Sequence, residues 1–369
     1  MRTRTGISGL FTLVAAAILS TGCYPLELSV SSEGTIAIPR AEGVALFNPK
    51  TGVGSLIPIG HPSDAPAFAV ISPDGTQLLT AYLMLDEKGE PGNQSQFLMS
   101  SLKNPGESEE MAVVENGCFL QWSPDGKLFS YAFVSGQNYD GVDENLPEIK
   151  IMNPADKSER LVSRNTSLMH RWTADGKGIV FLKTEAKDTD GRLGSIVIFS
   201  TETGKTRKIA KILDAEWFDL SPDGKEIILS AAAMAASGKT PKKDELSGKS
   251  LYLVSISDGA FKRLDEDAAF ARYSPDGKRI ALLAEKAIWI TGRDAVRPEK
   301  PLMRAMMEFD NTKFQTTWLS NTEVLSIVKK PVFGVVAHTC ALQVGNVETG
   351  DVRLLQNEIE ECVRKGQVK

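Results

Sequence analysis

Four nearly identical stretches recur along the chain: ISPDGTQLLTAY from Ile71, WSPDGKLFSYAF from Trp122, LSPDGKEIILSA from Leu220 and YSPDGKRIALL from Tyr273. A looser copy, WTADGKGIVFL, starts at Trp172, and degenerate ones lie at SSEGTIAIP from Ser31 and WLSNTEVLSIV from Trp318. Counted from Ser31, Ser72, Ser123, Thr173, Ser221, Ser274 and Leu319, successive copies are 41, 51, 50, 48, 53 and 45 residues apart. A repeat of this length is one supersecondary unit that buries its apolar surface only against its neighbours, so it constrains architecture before it says anything of chemistry.

Each unit is predicted to hold four short strands. The first ends just before the turn, as in GCFLQW from Gly117 and EWFDL from Glu216. In the turn, Pro presets its own backbone angle, Asp bonds locally, and Gly supplies the left-handed conformation. The second strand, as in KLFSYAFV, KEIILSA or KRIALL, is almost continuously apolar, which suits a strand covered on both faces. A loop of variable length leads to a third strand (EIKIMN, SIVIFS, SLYLVS, AIWITG), and a turn such as ETG at Glu202 leads to a polar fourth. The fold class expected is all-β: a β-propeller of four-stranded antiparallel blades over residues 29–356, with seven blades favoured and six as the alternative. Residues 357–369 form a C-terminal tail in which NEIEECVRK carries the one helical pattern.

The SPDG unit resembles the WD-like repeat of TolB-type propellers, which is also found in the propellers of prolyl oligopeptidase relatives. TolB-type chains carry an α/β domain ahead of the propeller, whereas here the first repeat follows Cys23 almost at once.

Residues 1–22 have the pattern of an export signal, with Arg2 and Arg4 before the apolar run Leu10 to Leu19, which is too short to span a bilayer. The junction Gly22–Cys23 resembles the lipobox of bacterial lipoproteins, with Ser20 where that family usually has Leu. The resemblance implies cleavage before Cys23, a diacylglycerol on its sulfur, acylation of the new amine, and a short tether over 23–28. Tyr24 in place of Asp favours, by the same resemblance, the outer over the inner membrane. The alternative is a soluble secreted or periplasmic protein with Cys23 as an ordinary thiol.

Loss of residues 1–22 would move the formal charge from −5 to −7, a poor match for nucleic acid. Three further cysteines, Cys118, Cys340 and Cys362, leave the pairing open. Cys340 with Cys362 would staple the tail to the last repeat; a Cys118 to Cys340 bridge and three buried thiols are the alternatives.

Tryptophans Trp122, Trp172 and Trp318 share one place in the repeat and are expected between blades. The long connections, 85–95, 134–147, 184–194 and 231–249, fall in the second to fifth blades, which predicts a binding face weighted to that half of the ring. Asp140, Asp143 and Glu144 with Asp188 and Asp190 are a candidate calcium set, against two solvated acidic loops. The run Ala231 to Ala236 could extend the fifth blade or dock on something apolar. His61, His170 and His338 lie on separate repeats, and no nucleophile elbow, zinc helix or phosphate loop occurs. No cofactor is therefore expected. The chain is expected to be a non-catalytic module that binds envelope proteins; the alternative is a propeller enzyme or carbohydrate-binding module acting on an envelope polymer through the central channel.

Overall fold

The computed structural model describes residues 28–40, 43–58, 66–85, 91–134, 146–188, 191–215, 217–235, 239, 250–265, 268–285, 287–304, 316–331 and 338–355. These form seven antiparallel sheets over residues 29–58, 66–115, 118–163, 166–213, 217–265, 268–304 and 316–354, and the fold is a seven-bladed β-propeller. The blade count settles at seven because each degenerate end copy builds a complete sheet of its own. Within the described residues no helix is long and apolar enough to cross a membrane. The segments assigned to the signal (1–22), most of the tether (23–27) and the tail (357–369) lie outside the described residues.

The turn explains the repeat. In every SPDG copy the Gly amide donates to the Ser carbonyl at 2.8–2.9 Å, with Gly φ between 68° and 70°. The Ser hydroxyl donates to the Asp carboxylate at 2.6–2.7 Å, and Thr173 plays the same part before Asp175. Turns of adjacent blades also stack: a Cβ on Gly126, Gly176 or Gly277 would lie 3.3–3.7 Å from the ring of Pro73, Pro124 or Pro222 on the preceding blade.

The second strands sit between flanking blades and are buried throughout, as in Phe129–Phe133 and Ile280–Ala284. Inner-strand tryptophans then join blade to blade. Trp122 Nε1 donates to the Val70 carbonyl (3.3 Å), Trp172 to Ser130 Oγ (2.8 Å), and Trp318 to the Arg272 carbonyl (3.1 Å), each reaching the preceding blade. Trp217 reaches forward to the Ala271 carbonyl (3.1 Å).

Three arginines make a second set of ties that the sequence reading missed. Arg160, Arg207 and Arg353 each stand three residues beyond the left-handed residue of the third-to-fourth-strand turn (Lys157, Gly204, Gly350). Each donates to a carbonyl in the equivalent turn of the next blade: Thr201 at 2.7 Å, Ile256 at 2.8 Å and Pro49 at 3.0 Å. The last of these crosses from blade 7 to blade 1.

Among the described residues no strand is exchanged at that seam, since blade 1 uses only the first four strands and blade 7 only the last four. Side chains close it among the described residues: Leu28, Ile36, Ile38 and Phe47 pack with Leu319, Leu325, Leu342 and Leu355 in one buried cluster.

Two expectations about the loops are corrected. Residues 184–194 are mostly strand, because the second and third strands of blade 4 (Gly178–Asp188 and Gly191–Ser200) pair as far as Asp188 and Gly191. Long hairpins are also not confined to the second to fifth blades. They occur in blade 2 (Gln77–Leu85, Pro91–Ser101), blade 4 and blade 7 (Glu323–Pro331, His338–Asn346), whereas blades 3 and 6 use strands of five residues. The alanine run docks across blades: Ala233–Ala235, from blade 5, pairs with Lys211–Leu213 and adds a fifth strand to blade 4.

Candidate functional site

Counting back from the turn places the channel. Two residues before each turn start stand Ser29, Val70, Gln121, Arg171, Asp219, Arg272 and Thr317; four before stand Phe68, Phe119, Met169, Trp217 and Phe270. Apart from Val70, the residues nearer the turn face are polar; the five deeper ones named are apolar and mostly aromatic, while the same count gives Glu27 and Gln315 in blades 1 and 7, outside the described residues. The deeper layer is packed: Phe68 and Phe119 have ring centroids 5.7 Å apart, and Trp217 and Phe270 4.5 Å. Met169, Trp217, Phe270 and Phe119 are all buried.

The polar layer holds an ion set. Arg171 Nε lies 3.7 Å from Asp219 Oδ1, with both side chains mostly buried, and Asp219 Oδ2 accepts the Tyr273 amide at 3.0 Å. The guanidinium carbons of Arg171 and Arg272 each stand 5.2 Å from the Trp217 ring centroid. Stacking on a desolvated indole is worth up to about 2 kcal/mol per cation. A cavity of about 450 Å³ opens beside this layer, along the inner strands of blades 1 to 3 and up to Arg171.

His170 is not a channel residue. It is fully buried, its Nδ1 lies 3.2 Å from the Leu168 carbonyl, and its Nε2 lies 2.8 Å from Ser130 Oγ. A proton on Nδ1 makes Nε2 the acceptor of the Ser130 hydroxyl, whose oxygen in turn accepts Trp172 Nε1–H. The Ser–His distance is that of a nucleophile and its base, but both residues are 0% exposed, so no substrate reaches them. The trio is a polar bolt between blades 3 and 4.

Cys118 is a free, buried thiol, which removes the Cys118 to Cys340 bridge. Burial pushes this thiol well up from its ordinary range, so it is a poor nucleophile. Cys23 and Cys362, and the Cys340 side chain, lie outside the described residues. So do Asp140, Asp143, Glu144 and Asp190; Asp188 ends its strand opposite Gly191, with its carboxylate likewise undescribed. Among the described residues no three His, Cys, Asp or Glu side chains cluster in a way that could hold a metal.

No family model matches the chain, and no curated protein does. Solved structures do. The β-propeller domain of the Trilobed protease from Pyrococcus furiosus is 17% identical, with 89% of this chain and 97% of that one covered and a TM-score of 0.57. A structure from a study of two prolyl endopeptidases is 14% identical, covering 94% and 51%, at TM-score 0.58. An oligogalacturonate lyase from Vibrio parahaemolyticus is 12% identical, covering 69% and 72%, at TM-score 0.52. The likeness is one of fold.

TolB from Acinetobacter baumannii is also among these structures, 13% identical, covering 88% and 77%, at TM-score 0.49. The expectation that the chain is not an enzyme is corrected by the same comparison. A lyase and peptidases carry this ring, so a propeller that fills its chain with repeats does not mark a protein as non-catalytic.

Proposed function

We propose that the protein is a recognition module of the bacterial envelope: a propeller held to the membrane, preferentially the outer one, by lipid on Cys23, which binds a partner protein on the face carrying the second-to-third-strand connections. Alternate connections of an antiparallel sheet lie at opposite ends, so all seven of these share one face of the ring. The observation that carries the reading is the unequal build of that face. The hairpins of blades 2, 4 and 7 use strands of 9–11 residues where blades 3 and 6 use 5, and blade 4 is further widened by Ala233–Ala235. The turn face is instead built to one plan, as packing between blades alone requires.

Photo-crosslinking in intact cells tests the face. A photoreactive residue at the exposed Gln94, on the hairpin side of blade 2, is expected to give a discrete protein adduct, and one at the exposed Thr203, in a third-to-fourth-strand turn, is not. Equal adducts from both positions, or none from Gln94, would sink the proposal. The anchor is tested apart from it: Cys23→Ser is expected to move the mature protein from the membrane to the soluble fraction, and unchanged membrane retention would refute lipidation.

A further inference from the structure

We infer that a second cavity, on the turn face between blades 4 and 5, is a binding site for a neutral saccharide. It stands independently of the partner face, which lies at the other end of the ring. Its volume, about 550 Å³, is within the range of small-molecule sites.

The plan shared by the turns is broken at this interface. Between blades 2 and 3, 3 and 4, and 5 and 6, a proline ring of one turn rests on the glycine of the next: Pro73 on Gly126, Pro124 on Gly176 and Pro222 on Gly277. Blade 4 has Ala174 in the proline's place, and among the described residues a Cβ on Gly224 would meet nothing within 4 Å. Five residues past the turn start, blades 5 and 6 carry Glu226 and Arg279, whose side chains reach Arg293 and the Asn321 carbonyl on the following blade. Blade 4 has Gly178 there. Ala174, Gly178 and Gly224 all line the space that results. Its outer end is bounded by Arg207, which spans to the Ile256 carbonyl at 2.8 Å.

The lining defines the ligand. Ile198, Phe199 and Ile256 supply apolar surface, but the Phe199 ring is 2% exposed and Arg160 stands 5.2 Å over it. A flat aromatic ligand therefore finds no ring face to stack on, whereas the C–H face of a saturated ring still gains from the apolar contact. Around the rim stand Asp175 and Asp223 with Lys177 and Lys205. Lys177 pairs with Glu202 at 2.9 Å, and Asp223 Oδ2 lies 3.8 Å from Arg293. Both signs of charge are present, so an ion of either sign meets a like charge. A sugar hydroxyl donates and accepts at once: it gives to a carboxylate, takes from an ammonium, and pairs with the hydroxyls of Thr203 and Thr206 on the outer wall. A saccharide here leaves Thr203 without a protein adduct, so the test of the partner face is unaffected.

Titration calorimetry on the mature chain tests the site with the methyl glycosides of glucose, galactose, mannose and N-acetylglucosamine, and with glucuronate and glucosamine as charged counterparts. At least one neutral glycoside is expected to bind, and both charged sugars at least about fivefold more weakly than it. Ala174→Pro restores the proline of the repeat over Gly224 and closes the space. Because other turns hold proline at this position, that variant is expected to melt at or above the parent's temperature while binding the sugar at least about tenfold more weakly. A second variant, Thr206→Trp, blocks the space from an exposed strand position without touching the turns, and is expected to weaken binding in the same way. No binding of any neutral glycoside at millimolar concentration, charged sugars binding as tightly as neutral ones, or undiminished binding to either variant would overturn the assignment.

Discussion

Ser130 shows how much a single hydroxyl can hold. It receives Trp172 Nε1–H and gives its proton to His170, so Ser130→Ala removes two buried hydrogen bonds at once. Each bond lost from a buried site costs about 1–3 kcal/mol, and the loss expected in denaturant unfolding is about 2–6 kcal/mol. A serine-directed phosphonate should leave the native parent unlabelled. A matched pair of glycines separates backbone strain from packing. Gly204 and Gly259 hold the same turn position with φ of 69° and 72°, but a Cβ on Gly204 meets nothing within 4 Å, while one on Gly259 would sit 2.1 Å from the Ile209 carbonyl. Gly204→Ala is expected to cost about 1–2 kcal/mol from the left-handed conformation alone. Gly259→Ala should cost clearly more, because blade 5 must also withdraw from blade 4; thermal melts of the two variants give the comparison.

The turns act together as elements when pH falls. Asp74, Asp125, Asp175, Asp223 and Asp276 are each held below the ordinary carboxylate range, first by the hydroxyl of Ser72, Ser123, Thr173, Ser221 or Ser274. A depressed native pKa means that the folded ring binds fewer protons than the unfolded chain in acid, so this stability is present above the unfolded value and lost as pH falls through the folded one. The melting temperature should therefore hold from about pH 7 to about pH 5 and fall below about pH 4. With Asp125→Asn and Asp223→Asn combined, the fall should be shallower. The strand Ala233–Ala235 gives a second element-scale outcome. Ala233 is 5% exposed against blade 4, and Ala233→Asp would bury an unpaired carboxylate there. The strand is expected to detach, read as lost amide-exchange protection at Lys211–Leu213 with the other outer strands unchanged.

At the scale of the whole molecule the seam between blades 7 and 1 decides how the ring opens. Six interfaces are joined through a continuous chain; among the described residues the seventh is held by side chains, with Leu355 at 0% exposure and Arg353 on the Pro49 carbonyl. Leu355→Ala is expected to cost about 2–5 kcal/mol, as truncations in a packed core do. Amide exchange in that variant should quicken first in blades 1 and 7. Uniform exchange around the ring would mean that the seam is no weaker than the joined interfaces. Arg353→Met should act in the same direction but by only about 1 kcal/mol, because its hydrogen bond is partly exposed.

The seven-fold repeat, the turn chemistry and the four-strand order were legible in the chain itself, because they depend on local spacing: Pro, Asp and Gly at fixed offsets and apolar runs of strand length. The inter-blade place of Trp122, Trp172 and Trp318 followed from the same register. Contacts between residues about 40 to 50 positions apart were not legible, since nothing local distinguishes their partners. Arg160, Arg207 and Arg353 look like ordinary solvent-facing charges until the next blade supplies a carbonyl. Ser130 and His170 become a pair only when blades 3 and 4 meet, and the same packing that brings them to 2.8 Å shuts them from solvent. The cavity beside Arg171 is likewise a property of the closed ring. Its described walls come from four blades, and only their radial arrangement brings Phe68, Phe119, Trp122 and Arg171 around one space.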